Sequence, residues 1–185
     1  MKIVVLTAPS GAGKTTIARR LMEAVPEARF SVSATTRPPR EGEADGIDYF
    51  FLTADDFRSR IADGAFLEYE EVYPGKLYGT LRGELEKTAE TGIALLDIDV
   101  KGAINVKRLY GDRCLTLFIE PPSLAVLAER LQGRRSEDEA SLADRLERAK
   151  HEIEYAREFD AVVVNDDLDT AVDETVTHVR TFLTV

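Results

Sequence analysis

The chain of 185 residues has a single cysteine, no apolar run longer than five residues, and fewer basic than acidic side chains, 24 against 34. One cysteine, Cys114, excludes an intramolecular disulfide and a cysteine-built metal cluster, and suits a reducing compartment. The short apolar runs exclude a membrane-spanning helix, which needs about 18 or more apolar residues in succession. Met1 to Leu6 is too short for a signal-peptide apolar region and no small-residue cleavage pattern follows, so the expectation is a cytoplasmic protein with no membrane partner. A net charge of −10 argues against broad nucleic-acid binding, because phosphate backbones are held by excess Lys and Arg. No repeat or low-complexity linker is visible, and length and composition fit one globular unit.

The charge that is present is unevenly spread. Residues 1–40 carry seven basic and two acidic side chains, a local balance of +5 inside an acidic chain. That pattern suits a small anion bound locally, although Arg19, Arg20 and Arg29 read equally well as a solvated helix face and its exit. Four short runs rich in β-branched residues (2–7, 93–98, 114–119 and 161–164) predict buried parallel strands. Between them, Ile17, Leu21 and Val25, then Leu124, Leu127 and Leu131, then Leu142, Leu146, Ala149 and Ile153 recur at helical spacing. Ser123 is the expected N-cap of the middle helix and Gly133 its stop. Strands alternating with helices predict an α/β fold with a parallel central sheet. Residues 31–80 break the rhythm with eight Gly and Pro, one short helix after Thr53 and alternating runs such as 66–69, which predicts a small mixed β insertion. Residues 134–150, dense in charge of both signs, read as a helical lid or an exposed helix pair.

The first strand runs into Ala8-Pro9-Ser10-Gly11-Ala12-Gly13-Lys14-Thr15, which opens directly onto a helix. Small residues let successive backbone N–H groups turn inward around an anion, and Gly11 and Gly13 supply that freedom. Lys14 would neutralise the β- and γ-phosphates of a nucleotide, the Thr15 hydroxyl would coordinate magnesium, and the helix N-terminus adds its partial positive charge. Ala8 stands where the strict phosphate-loop pattern has its first glycine. Such a loop marks a nucleoside triphosphate site without naming a reaction. The Asn-Lys-x-Asp element of guanine-specific switch GTPases is absent.

The run from Phe30 to Phe51, containing Ser33, Thr35-Thr36-Arg37-Pro38-Pro39-Arg40, Gly42-Glu43, Gly46 and Tyr49, resembles guanylate kinase, as do Phe66-Leu67-Glu68, Tyr78-Gly79-Thr80, Asp97-Ile98-Asp99 and Asn165-Asp166. The resemblance covers essentially the whole chain in order. It implies a P-loop NTPase-type three-layer fold with a core of residues 1–30, 81–122 and 151–185, a GMP-binding insertion at 31–80 and a lid at 123–150. It further implies that Arg37 and Arg40 grip the GMP phosphate with the Tyr49 and Tyr78 hydroxyls, a task for which planar guanidinium forks suit three phosphate oxygens. Glu68 matches the carboxylate that accepts from guanine N1–H and its exocyclic amine, with Ser33 and Thr80 as hydroxyls beside the base and Asp99 as a further GMP contact. Asp97 ends a strand from which a carboxylate reaches magnesium, the division of labour with Asp99 staying open. Arg134 and Arg145 match lid arginines that close over the triphosphate, or are surface salt-bridge partners; Arg135 stands where the family usually has glycine. Asn165 is placed near the ATP adenine or serves as a turn cap.

The implied activity is Mg²⁺-dependent transfer from ATP to GMP, with dGMP a further candidate acceptor, by a monomer or homodimer. Two rivals carry different expectations. A phosphopeptide-binding module would not need Gly13-Lys14-Thr15 or the lid arginines, and a kinase of another small phosphorylated acceptor would not need Glu68, Ser33 and Thr80 together. His151 and His178 have no nucleophile or paired carboxylate suggesting catalysis, Cys114 reads as core, and Tyr155, Phe159 and Phe182 read as packing onto the sheet.

Overall fold

The computed structural model describes residues 1–90, 92–132 and 139–184. In chain order the elements are β1 Ile3–Thr7, α1 Lys14–Ala24, β2 Ala28–Phe30, β3 Ala34–Thr35, β4 Phe50–Phe51, α2 Ala54–Ala62, β5 Phe66–Tyr73 and β6 Lys76–Leu81. They continue with α3 Arg82–Glu90, β7 Ile93–Asp97, α4 Val100–Tyr110, β8 Cys114–Glu120, α5 Leu124–Gln132, α6 Glu139–Glu154, β9 Ala161–Val164 and α7 Leu168–Thr184.

Five strands form a wholly parallel sheet in the order β2-β7-β1-β8-β9. Alternation along β1 divides its side chains between two faces, as a period of two requires. Val4 and Leu6 pack with Ile17 and Leu21 of α1 and Val172 and Val179 of α7. Ile3 and Val5 pack with Leu85 of α3 and Ala103 and Val106 of α4. Helices therefore cover both faces, and the expected three-layer α/β architecture is the one present. Both faces being buried explains why β1 is a continuous apolar run instead of an alternating one.

The insertion is a separate four-stranded mixed sheet, β4-β3-β6-β5, with β3 antiparallel to β6 and parallel to β4. Its own small core joins Ala34, Phe57, Phe66 and Leu81, with the Phe57 and Phe66 rings stacked at 4.3 Å. Helix α2 begins where expected, its first turn capped by the Thr53 hydroxyl accepting from the Asp56 N–H. Ser123 likewise accepts from the Val126 N–H at the start of α5. The expected stop at Gly133 lies outside the described residues.

Cys114 is buried, paired in register with Ile3, and its thiol is pushed up to about 12, chiefly by burial. Phe159 packs edge-on against Phe118 at 5.3 Å, and Phe182 lies against the α1/α7 face. Tyr155 departs from expectation: it is 45% exposed, because it falls just after α6, in the turn that leads into β9, and faces outward there. Among the described residues no helix is long and apolar enough to cross a membrane.

Candidate active site

In an open parallel sheet, ligands bind beyond the carboxyl ends of the strands. β1 and β7 are neighbours with Leu6 opposite Asp97, so the loop after β1 and the carboxylate ending β7 reach the same cleft. Gly11 and Gly13 have φ of 90° and 96°, backbone angles that other residues adopt only with strain. A Cβ on Gly13 would also collide with the Asn165 amide. Helix α1 begins at Lys14 with no side chain capping it, which leaves first-turn N–H groups directed at the cleft.

Lys14 pairs with Asp97 on the cleft floor, both mostly shielded, at 19% and 15% exposure. Burial pulls the Lys14 ammonium down to about 8, against which Glu152 and Asp99 raise it, so it is a cation at neutral pH. Asp99 caps α4, its carboxylate accepting from the Lys101 and Gly102 N–H groups at 2.9 and 3.2 Å.

Opposite the loop stands the insertion. Arg37 is 7% exposed, with its guanidinium 5.0 Å from the Tyr49 ring centre and 5.6 Å from that of Phe51. Tyr49 and Tyr78 meet edge to face at 6.1 Å. Glu68 on β5 is buried, and its Oε1 accepts from the Thr80 hydroxyl on β6 at 2.5 Å. Its Oε2 lies 2.6 Å from where a Cβ on Gly102 would sit, so Gly102 makes room for the carboxylate. The Ser33 hydroxyl is buried in the same wall without a hydrogen-bond partner among the described residues. A buried polar group left unpaired is costly unless a ligand completes it.

Burial pushes the Glu68 carboxyl up to about 7 from 4.5, with Asp99 adding to the rise and Thr80 opposing it. Its folded value lies above its unfolded one, so the stability it contributes is full below about pH 4.5 and is lost as pH rises through 7. At pH 8 the ionised, ligand-free Glu68 therefore destabilises the fold by up to about 3 kcal/mol. Glu68→Gln is expected to melt higher than the parent at pH 8 without nucleotide and to lose that advantage at pH 4.5. Thermal melts at the two pH values check this; a gap that does not change with pH contradicts it.

The cleft is lined by the phosphate loop except Ala12, and by Ser33, Arg37, Arg40, Tyr49, Glu68, Tyr78, Asp97, Asp99 and Arg145. Three other expected residues stand behind it or away from it. Ala12 is buried, Thr80 supports Glu68 from behind, and Asn165 is buried with its Nδ2 donating to the Ala12 carbonyl at 2.7 Å. Asn165 thus props the loop from beneath, and its backbone carbonyl is held by Arg130 at 3.0 Å. Arg134 lies outside the described residues.

Sequence reasoning passed over Arg148 and Glu152, which also line the cleft. Arg148 stacks at 4.8 Å on the Tyr73 ring, pairs with Glu152 at 2.7 Å and donates to the Val72 carbonyl. It ties α6, which carries Arg145, to β5, which carries Glu68. The signal was available: residues 145, 148 and 152 share one helical face.

A glycine-rich loop at a helix N-terminus, facing arginines and a buried carboxylate across one cleft, defines a phosphate-loop kinase that acts on a small phosphorylated acceptor. A family model for guanylate kinase matches residues 1–184, and the chain belongs to the guanylate kinase family. A guanylate kinase of Salinibacter ruber is 63% identical over 98% of this chain and 96% of its own, and one of Chlorobium luteolum 53% identical over 98% and 92%. The crystal structure of guanylate kinase from Anaplasma phagocytophilum superposes with a TM-score of 0.79 at 32% identity, covering 97% of this chain and 85% of that one. Shikimate kinase from Bacteroides thetaiotaomicron, at TM-score 0.55 and 15% identity, shares the fold.

Proposed function

We propose that the protein transfers the γ-phosphoryl group of ATP to GMP, giving ADP and GDP, and that the residues lining the cleft carry the reaction. The identity of the acceptor rests on Glu68: a buried carboxylate beside an unpartnered Ser33 hydroxyl suits the adjacent N1–H and amine donors of guanine. Adenine would set an acceptor against it. The insertion 31–80 holds GMP, with Arg37, Arg40, Tyr49 and Tyr78 on its phosphate and Asp99 at its further edge. The loop 8–15 holds ATP, and Asn165 acts on ATP through the loop it supports.

Phosphoryl transfer needs positioning and charge stabilisation more than covalent chemistry. Lys14 and Arg37 face each other across the cleft, one on the donor phosphates and one on the acceptor phosphate, so the two substrates meet in line. Arg145, with Arg134 of the 123–150 lid, neutralises charge on the transferring group. Closure of the lid and the insertion excludes water, the competing acceptor.

Among the described residues five cationic and four anionic side chains line the cleft, too little net positive charge for two phosphorylated substrates. A divalent cation fits this shortfall. The Thr15 hydroxyl and the Asp97 carboxylate are hard oxygen donors, and Mg²⁺ takes one or two such ligands together with phosphates and water. Bound there, Mg²⁺ would neutralise charge between the β- and γ-phosphates.

A coupled assay with ATP and GMP, dGMP, AMP, CMP or UMP tests the reading: guanine nucleotides are expected to react, and turnover of AMP at a rate like that of GMP overturns it. The carboxylate must be ionised to accept from guanine. The kcat/KM for GMP should therefore fall roughly tenfold per unit of pH below about 7, beyond the effect of the phosphate's own ionisation near 6. Glu68→Gln should retain only the latter.

A further inference from the structure

We propose that Glu43, which no part of the mechanism above uses, is a positioning residue that selects which edge of the Arg37 guanidinium meets the acceptor phosphate. Its Oε1 accepts from Arg37 Nη2 and its Oε2 from Nη1, both at 2.6 Å. The Pro38 carbonyl accepts from Nη1 at 2.9 Å. A guanidinium has five N–H donors. Glu43 and Pro38 occupy both donors of Nη1 and one of Nη2, so the two that remain are Nε–H and the outer N–H of Nη2. Those two lie side by side on one edge, the arrangement that binds two phosphate oxygens at once. The ring faces of Tyr49 and Phe51 fix the guanidinium plane, and Glu43 fixes its rotation within that plane.

The same carboxylate also sets the second arginine. Glu43 Oε2 accepts from the Arg40 backbone N–H at 2.7 Å, while the Glu43 N–H donates to the Arg40 carbonyl at 3.1 Å. These reciprocal bonds close the loop 40–43 into a tight turn. A carboxylate anchored to its own backbone in this way is a fixture of the loop, unlike a mobile side chain that phosphate must displace. Its pairing with Arg37 holds the carboxyl below the usual carboxylate range, so the arrangement persists across the working pH. Glu43 thus spends one negative charge beside an anion site to orient a stronger positive one, an exchange that favours binding because a fork already aligned loses little freedom when phosphate arrives.

The inference rests on the reading of Arg37 as the phosphate grip, and the test separates the two. Steady-state kinetics of the full-length parent, Glu43→Gln, Glu43→Ala and Arg37→Ala are compared, with guanosine as a competitive inhibitor that has the base and no phosphate. For Glu43→Gln we expect KM for GMP to rise about tenfold, the scale of one charge-assisted hydrogen bond, with kcat, KM for ATP and the guanosine inhibition constant nearly unchanged. Glu43→Ala should follow the same pattern more strongly. An unchanged or lower KM for GMP in Glu43→Gln overturns the proposal, the lower value meaning that the carboxylate competes with phosphate. A guanosine constant that rises in parallel with KM also overturns it, since the role is then general support of the insertion. If Arg37→Ala leaves KM for GMP unchanged, the phosphate assignment fails and the proposal with it.

Discussion

Lys14→Met is expected to lower kcat by about a thousandfold or more, the scale seen when a preorganised charge is removed from a developing transition state, while KM for GMP moves by less than about threefold. Methionine keeps most of the stem that fills the cleft floor and deletes the ammonium. In the ligand-free protein that ammonium sits on the Asp97 carboxylate with both groups mostly shielded. Removing one partner leaves an uncompensated charge, so Lys14→Met should also melt below the parent. Adding Asp97→Asn should restore stability without restoring turnover. This pair of outcomes separates the charge needed by the reaction from the charge needed by the fold. Turnover within tenfold of the parent contradicts the role of Lys14, whatever the melting temperature does.

Glu68→Gln is expected to reduce kcat/KM for GMP by about a hundredfold or more and to collapse the preference for GMP over AMP, as follows when a buried acceptor meets guanine's donors with a donor of its own. The amide retains one acceptor, so the Thr80 hydroxyl stays paired and the strand pairing of β5 with β6 is kept. The second position becomes an NH₂ facing the guanine donors. The ratio of kcat/KM for GMP and AMP, measured on both proteins at pH 8, is the decisive quantity. A ratio that survives the substitution would mean that another group reads the base. The same residue is therefore expected to cost stability and to supply selectivity, a trade common at binding sites.

How much of this was legible in the sequence depends on how local each feature is. β1, β7 and β9 announce themselves as unbroken apolar runs, and β8 as a run interrupted only by Thr116, because helices cover both faces of the sheet. β2 has three residues, one of them the exposed Arg29, and carries no such signal; only its pairing with β7 makes it a strand. The phosphate loop is contiguous, so its chemistry can be read from eight successive residues. The supports of the site are not contiguous. Asn165 reaches the Ala12 carbonyl from the far end of the chain, Gly102 clears space for Glu68 across two elements, and Arg148 meets Tyr73 only after α6 has docked. Tyr155 was expected to pack onto the sheet with Phe159 and Phe182; the turn after α6 directs it outward instead. Glu43 stood in plain view within the run resembling guanylate kinase. Its partner, Arg37, is six residues away, and only the turn between them shows that the two side chains meet.

The lone cysteine has a practical consequence. Cys114 is 1% exposed, and its thiol is raised to about 12, so the thiolate that reacts with alkylating reagents is scarce and out of reach. The native protein should pass through maleimide chemistry unmodified and need no reductant. Cysteines introduced at the exposed positions Ser59 on α2 and Asp144 on α6 would then be the two attachment points for a donor and acceptor dye. Such a pair would measure in solution how far the acceptor-binding insertion and the Arg145 helix approach each other when each nucleotide is added, singly and together.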